Sequence, residues 1–442
     1  MFHKKLLVGC VVIISMSGIT QPAFSQDREN SWFRGNLHTH SFWNGGRDFP
    51  ENIAKWYKDN GYDFISFTEH NTIQKGTKWI PLPQGHSTIE RYRKNFGNDW
   101  VQIKHANDDI DKGDLPRFIE GSKPYIQVRV KPLSEYRTLF EEAGEFLLMN
   151  GEEITDQHGV HVLANNVDEV IPTVGGSSNE RERMLRKIVS MVDTYRKRGE
   201  SNVYPILAHP NYNWNITAEM IMNTQNLRFF EVYNGVPEAN NEGDTIRPST
   251  DRIWDIVLSF RLGKMDVPLI YGIATDDAHD YDGGIDGRNV GPGKGWVMVR
   301  SKELTSESIM NSLKEGDFYS TTGVILKDIQ FDGESICIEI EPEEGVSYST
   351  KYIGTRDGFK LKSKPRLDSD GEKISNATRV YSKQIGKVLK KSENIRSCYK
   401  YLDEELYVRV VIVSTANQID PFTREVIGIQ KAWVQPVIPG KS

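Results

Sequence analysis

The stretch Gly35-Asn36-Leu37-His38-Thr39-His40 decides how this chain is read. Three further runs share its form: Phe64-Ile65-Ser66-Phe67-Thr68-Glu69-His70-Asn71, Pro205-Ile206-Leu207-Ala208-His209-Pro210 and Ile273-Ala274-Thr275-Asp276-Asp277-Ala278-His279. Each is a short apolar run of the kind a buried strand shows, ending in imidazole or carboxylate. His38 and His40 are two apart, so an extended backbone presents both on one face. Asp277 and His279 repeat that spacing. Imidazole with carboxylate suits Zn, Mn or Fe. A single strand-end histidine says little. Four such ends in succession predict strands converging on a metal site.

Outward from these runs, apolar segments alternate with amphipathic helical patterns to about residue 316, the signature of an α/β fold with parallel strands. The pattern predicts strands near 33–38, 63–68, 145–151, 160–165, 203–208, 228–233, 268–275 and 295–299. It predicts a helix after Pro50 that buries Ile53, Trp56 and Tyr57 and stops at Gly61. A second opens at Asn179 with Glu182 as capping partner, and a third runs from about Thr305 to Gly316. These strands suffice to close a (β/α) barrel, in which the active site lies at the C-terminal strand ends. Gly151-Glu152-Glu153 adds a carboxylate able to bridge two ions, and His158 and His161 flank the next strand. Glu231 and Asn234 end another strand, with substrate contact and plain structure equally open to them. Arg288 and Lys294, in a glycine-rich stretch, are candidates for binding a substrate phosphate or carboxylate, against the default of solvated loop charges.

Residues 75–140 break the rhythm and read as an insertion over the barrel mouth. His86 and His105 there read as surface histidines. Trp43, Trp79, Trp100 and Trp214 suit core or lid packing better than sugar stacking. Past residue 325 the chain turns β-rich, and 323–442 reads as a small antiparallel sandwich. A chain of 442 residues exceeds one ordinary core. A net charge of -6 without a long basic tract argues against duplex nucleic acid as partner. Residues 1–25 read as a secretory signal peptide, with no other segment fit to span a membrane, so the mature chain is expected in the periplasm or secreted. Cys337 and Cys398 then remain, either bridged or as two free thiols.

Taken in order, His38-Thr39-His40, Thr68-Glu69-His70-Asn71, Gly-x-Glu at Glu153, Ala208-His209-Pro210 and Asp277-Ala278-His279 resemble the successive motifs of the PHP (polymerase and histidinol phosphatase) superfamily. The run from Pro50 to Asn71 is similar to its secreted CehA/McbA-like members. The resemblance covers about 30–320 and implies a distorted (β/α)7 barrel, over residues 26–322, with two or three divalent ions (Zn, Mn or Fe). It implies that His38 and His40 hold one ion with Glu153 and Asp277. Glu153 would bridge to a second held by His161 and His209, and His70 and His279 would hold a third. The family's Ser-Asp-Gly is Asn44-Gly45-Gly46 here, with Asp48 a possible substitute, and its Thr-Asp-His is Thr-Glu-His, with Glu69 behind the ligands.

The implied activity is a phosphoesterase acting on a small phosphorylated substrate, mono- or diester. Metal lowers the pKa of bound water enough for attack at phosphorus. Asp277 and His279 are the catalytic candidates, with His279 or a metal-bound water as proton donor to the leaving group. A hydrolase of an amide, lactone or carboxylic ester uses the same water, and a non-catalytic glycan- or partner-binding protein is the remaining alternative.

Overall fold

The computed structural model describes residues 31–105, 125–199, 202–282, 290–402 and 404–440. The leader 1–25 and Arg288 lie outside them. Through residue 139 the elements are β1 (Ser31–Asn36), α1 (Pro50–Asp59), β2 (Phe64–His70), β3 (Lys78–Pro83), α2 (Ser87–Phe96), β4 (Ile103–His105), β5 (Tyr125–Val130) and α3 (Leu133–Tyr136). Then come β6 (Leu147–Thr155), β7 (His161–Asn165), α4 (Arg181–Lys197), β8 (Pro205–Leu207), α5 (Ala218–Asn223), β9 (Phe229–Asn234), α6 (Thr250–Phe260), β10 (Tyr271–Thr275), β11 (Trp296–Ser301), α7 (Ser306–Glu315) and β12 (Phe318–Thr321). The C-terminal part adds β13 (Leu326–Phe331), β14 (Ser335–Ile340), β15 (Tyr348–Arg356), β16 (Lys387–Ser392), β17 (Arg396–Lys400), β18 (Glu405–Ile419) and β19 (Val426–Val437).

One 13-stranded sheet runs β10-β9-β8-β7-β6-β2-β1-β11-β12-β19-β18-β15-β16. Pairing departs from the all-parallel expectation. β1–β2, β2–β6, β8–β9 and β9–β10 are parallel, but β6–β7, β7–β8 and β1–β11 are antiparallel. The fold is mixed α/β, and among the described residues no ladder closes the sheet into a regular barrel. Instead the chain beyond β1 meets the chain beyond β10 at one parallel bridge, Thr39 to Ala278, with His40 N–H donating to Ala278 O at 3.0 Å. That bridge brings the two histidine motifs together.

Local chemistry explains the helices that frame the site. α1 starts at Pro50, whose missing N–H costs nothing in a first turn, and buries Ile53, Ala54 and Tyr57. α7 is capped by Thr305 Oγ1 accepting from Ser308 N, and ends at Gly316 with φ 80°. α4 begins differently from expectation. A 3-10 turn at Ser178–Glu180 precedes it, and the Asn179–Glu182 capping pair does not form. α4 and α6 pack their apolar faces on β7 and β9 in a core that includes Met184, Ile188, Val192, Trp254 and Phe230.

Residues 75–140 are more than a loop. β3, β5 and β4 form a three-stranded antiparallel sheet. Ile80, Leu82, Val128 and Val130 from it share a core with Ile89 and Tyr92 of α2 and with Phe42, Trp43 and Phe49. The insertion therefore grips the segment that follows His40. His86 caps α2, its Nδ1 accepting from Thr88 N at 3.3 Å; the side chain of His105 lies outside the described residues.

Beyond residue 322, β13, β14 and β17 form a second antiparallel layer over β15, β18 and β19, with Ile336, Ile338, Tyr352, Val408, Val410 and Val434 between them. Cys337 and Cys398 sit opposite each other on β14 and β17 and are disulfide-bonded. The tip of the long β18–β19 hairpin reaches α1, where Phe422 stacks on Trp56 with centroids 5.8 Å apart. No helix among the described residues is long and apolar enough to cross a membrane.

Candidate metal centre

His38, His40, His70, Glu153, His161, His209, Asp277 and His279 come from six separate segments and meet at one end of the sheet. Their ligand atoms form three groups, each with atoms within 4.8 Å of one another: His38, His40 and Asp277; Glu153, His161 and His209; and His40, His70 and His279. Glu153 lies between them. Its Oε1 is 2.9 Å from His161 Nδ1 and 3.3 Å from His209 Nε2. Its Oε2 is 2.7 Å from His70 Nδ1, 3.4 Å from His40 Nε2 and 3.6 Å from His38 Nε2. Asp277 Oδ1 lies 3.1 Å from His38 Nε2 and 3.2 Å from His40 Nε2, while Oδ2 is 3.8 Å from His209 Nε2.

These groups fit cations. His38 Nε2, both ring nitrogens of His40, Glu153 Oε2, His161 Nδ1 and Asp277 Oδ1 are buried and make no hydrogen bond. Buried polar atoms are nearly always paired, and leaving one unpaired costs about 1–3 kcal/mol. Six converging orphans of complementary donor type describe a place for ions. Burial, with His279 and His70 alongside, holds His40 well below the ordinary histidine range, so the ring is neutral and its lone pair available. Burial alone would raise the carboxyls of Asp277 and Glu153, yet the surrounding imidazoles hold both well below their ordinary range.

Partners behind the ligands fix their aim. Glu231 is fully buried. Its Oε1 takes His38 Nδ1 at 2.7 Å and the Thr275 hydroxyl at 2.6 Å. Its Oε2 accepts His209 N–H and Asn234 Nδ2, both at 2.7 Å. One carboxylate thus fixes the His38 ring through Nδ1 and the His209 backbone through its N–H, and a carboxylate on the far ring nitrogen is the partner that a metal-binding histidine would have at His38. Asn234 Nδ2 also donates to Asp277 Oδ2 at 3.1 Å. His279 Nδ1 sits 2.8 Å from Asp277 O. A carbonyl only accepts, so Nδ1 carries the proton and Nε2 the lone pair. His209 and Asp277 have φ of 22° and 50°, backbone regions that residues with a side chain rarely occupy.

Several alternatives close. Glu152 points away and accepts Ile171 N–H at 2.7 Å; burial raises it to about 7. His158 Nε2 donates to Gly176 O at 2.9 Å, outside the groups. Asp48 does not replace the missing aspartate: it is buried against Arg91 Nη2 at 2.8 Å and Asn52 Nδ2 at 2.8 Å. Gly45 is needed instead. Its φ is 102°, and a Cβ there would meet His70 Cδ2 at 2.9 Å and His40 Nδ1 at 3.2 Å. Glu69 holds the turn after His40, accepting from Ser41 N and Asn44 N, both at 3.0 Å.

Lys294 is corrected. It is buried, with Nζ 3.6 Å from Asp420 Oδ2 and 3.3 Å from Gly235 O, so it faces the β18–β19 hairpin and not a substrate. Its backbone N–H donates to Asp276 Oδ1 at 2.6 Å, and Tyr57 OH donates to Asp276 Oδ2 at 2.9 Å. Asp276 therefore moors the loop that carries Asp277 and His279. Asp276 and the hairpin contact are the residues that sequence reading passed over; Asp276 beside Asp277 was the available signal.

No family model and no curated protein matches this chain. Among solved structures it is similar, at 12% identity and a TM-score of 0.36, to a two-domain protein from Bacteroides vulgatus containing a predicted PHP-like metal-dependent phosphoesterase; the match covers 91% of this chain and 94% of that one. A likeness at this level supports neither a fold nor an activity for this chain.

Proposed function

We propose that the chain is a metal-dependent phosphoesterase of the PHP type that hydrolyses a small phosphate ester, mono- or diester. The observation that carries the reading is Glu153, whose two oxygens face separate imidazole groups as a bridging carboxylate does. Divalent ions bound there supply an activated water and neutralise charge on phosphoryl oxygens. Asp277 is the second shared carboxylate and spans the same two groups. Glu231 keeps His38 and His209 aligned as charge builds up. The group of His40, His70 and His279 consists of imidazoles, with Glu153 Oε2 2.7 Å from His70 Nδ1 and 3.4 Å from His40 Nε2. His279 stands at the exposed rim, with 25% of its side chain accessible. When protonated at Nε2 it is placed to hand that proton to the leaving oxygen. The disulfide between Cys337 and Cys398 supports an oxidising compartment, and with the leader a periplasmic or secreted protein.

The test is turnover of p-nitrophenyl phosphate and bis(p-nitrophenyl) phosphate by purified mature protein with Mn or Zn, beside a His38→Ala variant. The reading expects hydrolysis by the wild type and its loss in the variant. Metal-loaded protein that cleaves neither ester contradicts it.

A further inference from the structure

A cavity of about 370 Å³ opens directly beside the metal groups. His161 belongs to its wall and to the group with Glu153 and His209. One side is the turn between β6 and β7, with Asp156, Gln157, His158 and Gly159; the other is the turn after β8, with Tyr212, Asn213 and Asn215; Arg181 adds the cation of the lining. Asp156 is its carboxylate, and its Oδ1 accepts from His158 N at 2.6 Å and Val160 N at 3.1 Å. A phosphoryl group held at His161 would have this space beside it for its ester substituent.

The turn after β8 is strained and braced. His209, Asn213 and Trp214 have φ of 22°, 49° and 56°. Asparagine tolerates that region, but for tryptophan it is an outlier that only surrounding structure can maintain. The bracing is visible: Asn211 Nδ2 donates to Pro248 O at 3.0 Å and Asn240 O at 3.1 Å, and the Arg247 guanidinium lies 4.7 Å from the Trp214 ring. The result places the Tyr212 ring 5.1 Å from His209 and 6.5 Å from His161. Gly159 completes the fit, because a Cβ there would lie 1.9 Å from Asn215 Nδ2.

Arg181 differs from its neighbours on α4. Arg183 pairs with Glu180 at 2.9 Å and Arg186 with Glu182 at 3.7 Å. Arg181 instead spends Nε on His158 O at 2.7 Å and Nη1 on Ser178 O at 3.1 Å. Among the described residues no carboxylate lies within ion-pair distance of it. Two carbonyls thus fix a guanidinium in the cavity wall without neutralising it. A fixed, planar cation is suited to a carboxylate or phosphate. The carboxamides of Gln157, Asn213 and Asn215 each carry donor and acceptor, which suits hydroxyls between two anionic ends.

We propose that this cavity seats the leaving-group half of the substrate, and that this half carries its own oxyanion, a carboxylate or a second phosphate, bound by Arg181. The inference rests on the phosphoesterase reading and names its substrate class.

The experiment compares wild type, Arg181→Met and Arg181→Lys, as full-length mature protein loaded with Mn. Glycerol 1-phosphate and 3-phosphoglycerate are similar in length and differ in the carboxylate; fructose 1,6-bisphosphate supplies a second phosphate. Arg181→Met is expected to raise KM about 10- to 100-fold for the charged-ended esters, the range of a lost charge-assisted hydrogen bond. Glycerol 1-phosphate is expected to change less than about threefold, and Arg181→Lys to recover part of the loss. The ester with the larger loss identifies the oxyanion. Equal losses on all three esters, or none, overturn the proposal. Calorimetric binding of 3-phosphoglycerate separates the two claims. If the wild type binds it through Arg181 yet cleaves nothing, the phosphoesterase reading fails and the binding site stands. If Arg181→Met binds it as well as the wild type, the site fails whatever the turnover.

Discussion

Among the described residues, two of the buried charge clusters are built on opposite terms. In one, Arg409 on β18 donates Nε and Nη2 to the two oxygens of Asp255 on α6, at 2.7 and 2.9 Å, and Nη1 to Asp251 at 2.9 Å. Tyr407 OH adds a bond to Asp255 Oδ1 at 2.9 Å. This cluster is satisfied from within, and it pins the C-terminal sheet to the helix covering β9. In the other, the histidines around Glu153 and Asp277 leave six buried atoms without hydrogen bonds. A fold tolerates buried charge in the first form because each donor meets an acceptor. The second form makes sense as a site completed from outside. Burial of charge is common to both; the convergence of unsatisfied donor atoms on one place distinguishes the second.

Breaking each cluster should therefore give different results. Arg409→Met strands the Asp255 carboxylate and is expected to cost about 3–5 kcal/mol of stability, read by denaturant unfolding, while metal content per folded chain stays unchanged. Loss of metal from the folded variant would show the two clusters to be coupled.

Glu51 sharpens the contrast from a third side, as a buried carboxyl whose desolvation outweighs the pull of Lys131. Burial pushes it up to about 7, against hydrogen bonds from Tyr92 OH and Trp100 Nε1. The folded chain keeps a proton that the unfolded chain releases above its ordinary 4.5. Stability from this group is therefore full below about 4.5 and falls as pH rises through about 7, by a total of order 2–3 kcal/mol. Glu51→Gln is expected to flatten that slope and to be the more stable form at pH 8. An unchanged pH profile of unfolding would remove this account.

Glu231→Gln should be the mildest break. It keeps volume and one acceptor but loses the charge that aims His38 and His209. Metal affinity is expected to fall about 10- to 100-fold with little change in unfolding midpoint. A lower midpoint with full affinity would make Glu231 a packing residue only.

The same contrast explains what could be read in advance. The side chains that meet around Glu153 were legible because strand-end chemistry is local: His-x-His, Gly-x-Glu and Asp-x-His each declare a face and a donor type within three residues. The eight strands around them were legible from apolar runs. Strand direction was not, since β7 and β8 carry the same apolar signal whether they run parallel or antiparallel. The small sheet of the insertion was missed although Tyr125-Ile126-Gln127-Val128-Arg129-Val130 alternates buried and half-buried residues as a strand should. Lys294 was misjudged because its partner Asp420 sits on a distant hairpin that nothing near Gly293-Lys294-Gly295 announces. Glu231 was half seen, as an acid at a strand end, but three of its four partners, His38, His209 and Thr275, come from three other segments.

The most direct measurement is the metal content of natively purified mature protein, by plasma mass spectrometry, beside Glu153→Gln. If Glu153 joins two cation groups, the wild type carries at least two divalent ions per chain and the variant loses occupancy at both together. A wild type that binds none under metal-replete conditions, or a Glu153→Gln protein that retains full content, contradicts the account.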